Sequence, residues 1–337
     1  MKILFLLAVP VLGLAQRWAP QVSHSKASLR GVSAVSEQVA WASGSKGTWL
    51  RTTDGGANWT AGTVPGAEEL DFRGISTRDG RTVWLMSSGP GEKSTVYRTQ
   101  DAGEHWELLF TNKEPKGFFD SIVFRDARHG VIFGDPVDGH LTVLTTEDGG
   151  LHWSRQNTPA ALPDEAAFAA SNSCLALGDK STVWLATGGR GGVRVYRSPD
   201  NGKTWTVAPT PIRNDAPSAG IFSVAFADAA KGIAVGGDYA KPTEARDNIA
   251  LTSDGGRTWT APTGASPTGF RSAAVWLEKL RLWIVTGTSG SDVSGDGGLT
   301  WKRFDDGAYN ALSVAAGRVA WAVGPEGRIA KLTFPDR

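Results

Sequence analysis

The chain has 337 residues, of which 40% are hydrophobic and 20% are charged, so it is long enough to bury a large core. A net charge of +1 gives no electrostatic reason to expect nucleic acid as a partner. The single cysteine, Cys174, excludes an intramolecular disulfide, and its apolar neighbours in 173–177 favour a buried, unreactive thiol.

The N-terminus has the pattern of a secretion signal. Lys2 precedes an apolar stretch at 3–12, and Gly13-Leu14-Ala15 forms a small-x-small cleavage site. We therefore expect a signal peptide over residues 1–15, cleaved after Ala15, and export of residues 16–337 to the periplasm or the exterior. No other stretch approaches the roughly 18 consecutive apolar residues of a membrane span, so none is predicted.

A repeat then dominates the sequence: Ser/Thr-x-Asp-x-Gly-x-x-Trp occurs six times. Intervals of 47, 47, 52, 54 and 42 residues separate successive copies, about the length of one four-stranded propeller blade. We expect each aspartate to accept backbone N–H groups within its own turn, while the tryptophan packs between neighbouring sheets. The repeat aspartates are Asp54, Asp101, Asp148, Asp200, Asp254 and Asp296.

The strand patterns predict an all-β, seven-bladed propeller as a single domain over 16–337. A second-strand pattern occurs seven times, once more than the repeat. The seventh unit has only three strands, which would leave an open sheet edge, so we expect residues 17–24 to close the ring by pairing with it. The predicted blades are approximately 28–60, 69–108, 117–155, 166–207, 219–261, 269–304, and 309–334 with 17–24.

Alternation of strand direction places the repeat turns on a lower face. The loops from second to third strands, and from each blade to the next, lie on an upper face, where long polar loops of blades three to five are expected to bind a ligand. The glycines of 188–192 would let a ligand approach the backbone there. The candidate binding residues are Asp120, Asp135, Glu165, Arg190, Asp238, Tyr239 and Arg246.

No metal site or cofactor is predicted. Asp135, Asp138 and His140 could offer ligands to Ca²⁺, but their spacing matches neither an EF-hand loop nor a zinc motif. An aspartate-stabilised turn is the preferred interpretation. The sequence also lacks the glycine-rich motif at the start of a helix that binds a dinucleotide cofactor.

The repeat is that of the Asp-box, or BNR, propellers, which include sialidases. The longer period, Val-Ala-Trp-Ala-Ser-Gly at 39–44 followed by Leu-Arg-Thr-Thr-Asp-Gly-Gly-Ala-Asn-Trp at 50–59, resembles the YCF48-like photosystem II stability and assembly factor family. The resemblance covers nearly all of residues 16–337. It implies a seven-bladed propeller, expected to be monomeric, that binds a protein or envelope ligand as an assembly factor or scaffold and has no chemistry of its own.

A sialidase-like or other glycoside hydrolase is the alternative. Sialidase chemistry uses three arginines, a tyrosine paired with a glutamate, and an acid/base aspartate. The best set available is Tyr239 with Glu165 or Glu244, an acid/base Asp120, and a clamp of Arg190, Arg246 and Arg271. Phe72-Arg73-Gly74-Ile75 stands where sialidases have Arg-Ile-Pro. A carboxylate pair such as Asp120 and Glu165 would serve another glycosidase.

Overall fold

The strands of this protein form antiparallel sheets arranged as blades around a central channel. The computed structural model describes residues 16–179 and 181–334, and these contain seven such sheets. The innermost strands of successive blades contact one another in a circle, and the innermost strand of blade 7 contacts that of blade 1. The seven-bladed propeller is therefore confirmed. The predicted signal peptide, 1–15, lies outside the described residues.

The first four blades follow the chain in order, each running from the channel outward. Blade 1 has β2 (Leu29–Ala34), β3 (Ala40–Gly44), β4 (Thr48–Thr52) and β5 (Thr60–Thr63). Blade 2 has β6 (Phe72–Thr77), β7 (Val83–Ser87), β8 (Thr95–Thr99) and β9 (Glu107–Thr111). Blade 3 has β10 (Phe119–Phe124), β11 (Gly130–Val137), β12 (His140–Thr146) and β13 (Ser154–Arg155). Blade 4 has β14 (Leu175–Leu177), β15 (Val183–Ala186), β16 (Arg194–Ser198) and β17 (Thr206–Pro209).

The remaining blades include two that depart from this simple order. Blade 5 has β18 (Ala219–Phe226), β19 (Gly232–Asp238) and β20 (Ile249–Thr252). Blade 6 has β21 (Ala273–Leu277), β22 (Leu282–Gly287), β23 (Gly290–Ser294) and β24 (Lys302–Asp305). Blade 7 has β25 (Ala311–Ala315), β26 (Val319–Val323), β27 (Ile329–Thr333) and, outermost, β1 (Arg17–Gln21). Short 3₁₀ turns occur at Gly91–Lys93 and Pro325–Gly327.

The ring closes as predicted, with an N-terminal strand in the C-terminal blade. β1 runs antiparallel to β27, from Arg17 opposite Thr333 to Gln21 opposite Ile329. Trp18 on β1 is 5% exposed, and its indole N–H donates to Ser291 Oγ of blade 6 at 2.9 Å. The first described strand therefore covers the edge of blade 7 and also ties that blade to its neighbour.

Blade 5 is the exception to the expected four strands. Beyond β20, pairing is reduced to one bridge between Leu251 and Thr260. Pro262, two residues later, has no N–H to continue the ladder, so the chain leaves the sheet there.

The six repeat turns share one hydrogen-bond arrangement that explains the sequence pattern. In the first, Asp54 Oδ1 accepts the Asn58 backbone N–H at 2.9 Å, and Thr52 Oγ1 accepts the Gly56 N–H at 2.9 Å. The other five aspartates likewise accept the N–H four residues ahead. The carboxylate therefore organises its own turn.

Second-strand tryptophans bind the blades together. The indole N–H groups of Trp41, Trp84 and Trp184 donate to carbonyls of the next blade, at Gly80, Gly149 and Gly255. These distances are 3.1, 2.9 and 2.9 Å, and all three side chains are buried. These three tryptophans therefore pack between blades.

The repeat turns predict a specific loss of stability in acid. Hydrogen bonds, first that from the Asn58 N–H, lower the pKa of Asp54 to about 2. A depressed folded-state pKa contributes stability that is present above the unfolded value of about 3.9 and is lost as pH falls toward 2. We expect Asp54→Asn to be less stable than the wild type at pH 5–7, and the difference to shrink between pH 4 and pH 2. Urea denaturation across this range measures it, with the exposed Glu69→Gln as control. A difference that does not change with pH would contradict the assignment.

Candidate functional site: a plugged channel mouth

A segment of blade 4 crosses the central channel. Residues 166–173 precede the short strand β14 and, apart from one bridge between Ala166 and Gly188, do not pair with the sheet of blade 4. The Asn172 amide donates to the carbonyls of Ile75 in blade 2 and Ile122 in blade 3, each at 3.0 Å. Its Oδ1 accepts the Ile122 backbone N–H at 2.7 Å. This one side chain thus joins three blades.

The same segment is bound to the other side of the ring. Ser171 Oγ donates to the Ser272 carbonyl of blade 6 at 2.6 Å, and the Val224 N–H of blade 5 donates to the Ser173 carbonyl at 2.9 Å. Arg73 Nη1 donates to the Ala169 carbonyl at 3.3 Å. We call residues 166–173 the plug. Because the plug lies across the channel, the upper mouth is a pocket with a floor.

Sequence reasoning missed the plug, since 166–207 was expected to form blade 4 as an ordinary blade. A signal was present: Ala-Ala-Phe-Ala-Ala-Ser-Asn-Ser at 166–173 lacks the period-two alternation of a strand and contains mostly small residues. Small side chains let a segment fit among other inner strands.

Removal of the Asn172 side chain should loosen the plug. Asn172→Ala leaves the buried carbonyls of Ile75 and Ile122 without these donors, so we expect a loss of about 2–4 kcal/mol in the free energy of unfolding. Asn201→Ala is the matched control, because both asparagines have positive φ, 62° and 57°, while Asn201 is exposed. Chemical denaturation measures both variants. Equal losses would show that the backbone conformation, and not the side-chain bonds, is responsible.

The pocket above the plug has a volume of about 500 Å³ and receives residues from every blade. One wall is polar and consists of Arg30, Arg73, Asp120 and Asp135. Arg73 is held by Asp71, with Nε 2.7 Å from Oδ2. The pocket therefore combines acidic and basic groups around one cavity.

Asp120 and Asp135, which we call the acid pair, are carboxyl groups with raised pKa values. Asp120 is 1% exposed, and its Oδ2 has no hydrogen-bond partner among the described residues. Burial raises the pKa of Asp120 well above its usual value, and the negative charge of Asp135 raises it further, while Arg73 opposes the shift. Burial also raises the pKa of Asp135, whose Oδ1 accepts the Ala167 N–H at 2.9 Å.

The facing wall is aromatic. Phe168 of the plug stacks on Phe222 with ring centroids 4.1 Å apart, and Phe270 meets Phe222 edge-on at 4.7 Å. Tyr239 sets its ring perpendicular to Phe168 and Phe222, at 6.3 and 6.0 Å, and remains 54% exposed. An exposed tyrosine at the rim, above the buried Phe222 and Phe270 and the half-buried Phe168, forms an apolar surface that a ligand can cover.

Comparison with solved structures identifies the same architecture. A structure described as YCF48 bound to D1 peptide superposes with a TM-score of 0.68 at 14% identity, covering 98% of this chain and 100% of that chain. YCF48 from Cyanidioschyzon merolae gives 0.66 at 16% identity, covering 93% and 98%. This chain has the fold of the YCF48 propellers. The WD40 propeller domain of Doa1 gives 0.63 at 13% identity, covering 94% and 97%.

At these identities the similarity concerns the fold. No protein-family model matches the chain, and no curated protein sequence matches it. The fold that the sequence resemblance implied is therefore confirmed. Within residues 16–179 and 181–334, the structure has no helix of the length and apolarity needed to cross a membrane.

Three of the seven candidate binding residues meet in the pocket: Asp120, Asp135 and Tyr239. Arg190 is exposed on its loop and does not line the pocket. Arg246 forms ion pairs with Asp215 and Glu244 outside it. Sequence reasoning did not select Arg30, Arg73 or the three phenylalanines, because single arginines and strand phenylalanines resemble ordinary sheet residues.

Glu165 and Asp238 support the protein's own backbone. Glu165 is buried against Arg194, whose Nε donates to Oε1 at 3.0 Å, and accepts the Leu162 N–H at 2.8 Å. Asp238 is buried, and its Oδ1 accepts the Ala240 N–H at 2.9 Å. Substitution of either residue would therefore change the stability of the fold, whether or not the residue also binds a ligand.

The glycine loop also contacts protein rather than open space. A Cβ on Gly188 would lie 2.8 Å from the Cα of Gly220 and 2.3 Å from Phe168 Cε2. The missing side chain at Gly188 thus accommodates the plug and blade 5. The sequence had led us to expect that this glycine lets a ligand approach the backbone, but protein atoms occupy that space.

The structure does not assemble the residues considered for a hydrolase. Tyr239 and Asp120 share the pocket, whereas Glu165 is engaged by Arg194. Arg271 is fully buried, and its Nε donates to Asp292 Oδ2 at 2.7 Å. A carboxylate clamp built on Arg271 would have to break that buried pair.

The three residues considered for Ca²⁺ also do not converge. Asp135 lies in the pocket wall, Asp138 is exposed, and His140 Nδ1 is 2.8 Å from the Thr158 carbonyl. In the described part of the chain, the one group of three metal-binding side chains with close ligand atoms is Asp101, Glu104 and His105, on a repeat turn of the lower face. Glu104 and His105 are exposed, and the carboxylate of Asp101 is already hydrogen-bonded to His105 within that turn.

Proposed function

We propose that this protein is an exported, non-catalytic scaffold that binds a segment of a partner protein at the plugged mouth of its upper face. The observation that carries the proposal is the pocket itself: an exposed tyrosine above buried phenylalanines faces a polar wall with an unpartnered buried carboxyl oxygen. Apolar surface with a few convergent polar groups is typical of a binding site.

The bonded floor supports a preformed binding site. The plug is bonded to four blades, so the pocket is formed before a ligand arrives, and binding does not require ordering of a loop. A structural neighbour was solved with a D1 peptide bound, which supports peptide binding as a use of this fold.

Export is proposed from the N-terminal pattern alone. Mass spectrometry of the protein secreted by its host should give Gln16 as the first residue. An N-terminus at Met1 in a protein recovered from the cytosol would contradict this part of the proposal.

Site-specific photocrosslinking tests the binding site. A benzoylphenylalanine replaces Tyr239 in the pocket or, as the matched control, Leu299, which is exposed on a repeat turn of the lower face. We expect a discrete protein adduct from position 239 in the host's envelope fraction and none from position 299. Adducts from both positions, or only from 299, would contradict the upper-face site.

A fluorogenic glycoside panel tests the hydrolase alternative. The purified protein is expected to show no turnover, and turnover that is abolished by Asp120→Asn would favour the hydrolase instead.

A further inference from the structure

We infer that the pocket binds a protonated primary amine, the side chain of a lysine in the partner segment, between the Asp120–Asp135 pair and the aromatic wall. This inference rests on the proposed function for the source of the amine. The chemistry of the site can be tested without the partner.

The first reason is the unpartnered oxygen of Asp120. A carboxylate oxygen removed from water and left without a donor is unfavourable, and buried polar atoms in proteins are nearly always paired. Asp120 is 1% exposed and lines the pocket, so a donor can reach Oδ2 only from the pocket side or from within the protein. The backbone N–H groups of Asp135 and Ala169 approach the Asp120 carboxyl group and lower its pKa, but Oδ2 has no hydrogen-bond partner among the described residues. A ligand in the pocket would supply one.

The second reason is the charge around the pair. Asp135 faces Asp120 and disfavours a second negative charge there. Arg73 is near enough to oppose this effect, but its guanidinium bonds Asp71 and the Ala169 carbonyl. The thiol of Cys174, also packed near Asp120, is buried, and burial raises its pKa, so it brings no charge. Arg30 lines the same pocket, its pKa is lowered first by burial and then by the positive charge of Arg73, and its Nε also has no partner among the described residues.

The pair is thus two carboxyl groups, neither of which bonds a cation among the described residues. Burial disfavours the ionised form of both groups, and the negative charge of Asp135 disfavours it further at Asp120. An ammonium group would favour the ionised form and donate up to three hydrogen bonds.

Lysine suits this site better than arginine or a metal ion. A compact ammonium on a four-carbon stem can reach a deep carboxyl group, whereas the guanidinium fork is wider and planar. The stem would lie along Phe168 and Phe222 while Tyr239 covers it at the rim, which buries apolar methylenes beside aromatic faces. Calcium needs six to eight oxygens, and here one of the four carboxyl oxygens already accepts the Ala167 N–H.

The test uses residues 16–337 and small probes. Nα-acetyl-lysine methylamide is titrated by calorimetry and NMR beside three analogues: the Nε-acetylated form, the arginine analogue and the glutamate analogue. We expect the lysine probe to bind, the arginine analogue to bind at least tenfold more weakly, and the acetylated and glutamate probes not to bind. Binding of the glutamate probe instead would assign the pocket to an anion facing Arg30 and overturn the inference.

Two further measurements identify the acid pair as the receptor. Asp120→Asn keeps the shape and removes the charge, so it should weaken the lysine probe at least tenfold, whereas Asp138→Asn on the exposed neighbouring loop should not. Because burial raises the pKa of both carboxyl groups and an ammonium group would lower it again, binding of the lysine probe should release protons, seen as different heats in buffers of different ionisation enthalpy. Affinity should therefore rise with pH until lysine itself loses its proton near pH 10. Unchanged affinity in Asp120→Asn would overturn the inference.

Stability of the variant is checked by its melting temperature, which we expect to be unchanged or raised because a neutral amide replaces a buried carboxyl group whose ionised form is unfavourable there. If Asp120→Asn unfolds, Asp135→Asn provides the same test. The two proposals fail separately. If the lysine probe binds but position 239 gives no photoadduct, the proposal of a partner protein is contradicted. If position 239 gives a photoadduct but the lysine probe does not bind, the inference of an amine site is contradicted.

Discussion

Deletion of residues 17–24 is expected to lower the melting temperature more than any single substitution within a blade. The deletion removes β1 and exposes the edge of β27 along five residue pairs. It also removes Trp18, which packs against Phe304 and Tyr309 with ring centroids 6.0 and 5.5 Å apart and is hydrogen-bonded to blade 6. Replacing a buried tryptophan with alanine alone costs about 3–5 kcal/mol.

Thermal denaturation followed by tryptophan fluorescence measures this loss. Trp18→Ala should account for a large part of it, while Val22→Ala, at a side chain that is 69% exposed just after the same strand, should change little. An unchanged melting temperature after the deletion would show that the ring does not depend on β1 for closure. An equal effect of Val22→Ala would show that the contribution is not specific to the buried side of the strand.

The second large effect is expected at the buried ion pair of blade 6. Arg271 and Asp292 are both fully buried, and Thr268 also donates to Asp292, through its hydroxyl at 3.0 Å. Burial lowers the pKa of Arg271, and Asp292 opposes that shift. Arg271→Met leaves Asp292 as an uncompensated buried charge, so we expect a loss of about 3–5 kcal/mol in the free energy of unfolding.

A double variant separates the pair from the packing. Arg271→Met combined with Asp292→Leu should recover much of the loss, because two apolar side chains need no partner. Arg303→Met at the exposed Arg303–Asp306 pair of the same blade is the control and should cost at most about 1 kcal/mol. If the double variant is as unstable as Arg271→Met, then the space and hydrogen bonds around Arg271, and not its charge, maintain this region.

Particular residues show how far the candidate site could be predicted. Asp120, Asp135 and Tyr239 were chosen because polar side chains on upper-face loops are candidates for binding, and all three line the pocket. Glu165 and Asp238 met the same criterion but are buried among backbone donors of their own turns. Polarity and loop position do not distinguish a side chain that binds a ligand from one that stabilises a turn, since both need hydrogen-bonding atoms at the same place in the chain.

The sequence by itself determined the blades and the closure of the ring. Strand alternation, turn aspartates and repeat tryptophans are local features with a fixed period, and an unpaired edge in the seventh unit required a partner that only residues near 17–24 could supply. Tertiary structure alone decided the plug and the pocket above it. Asn172 meets Ile75 and Ile122 across 97 and 50 residues of chain, and Phe168 reaches Phe222 of the next blade. Such contacts depend on where the closed ring places distant strands, and no local pattern records that distance.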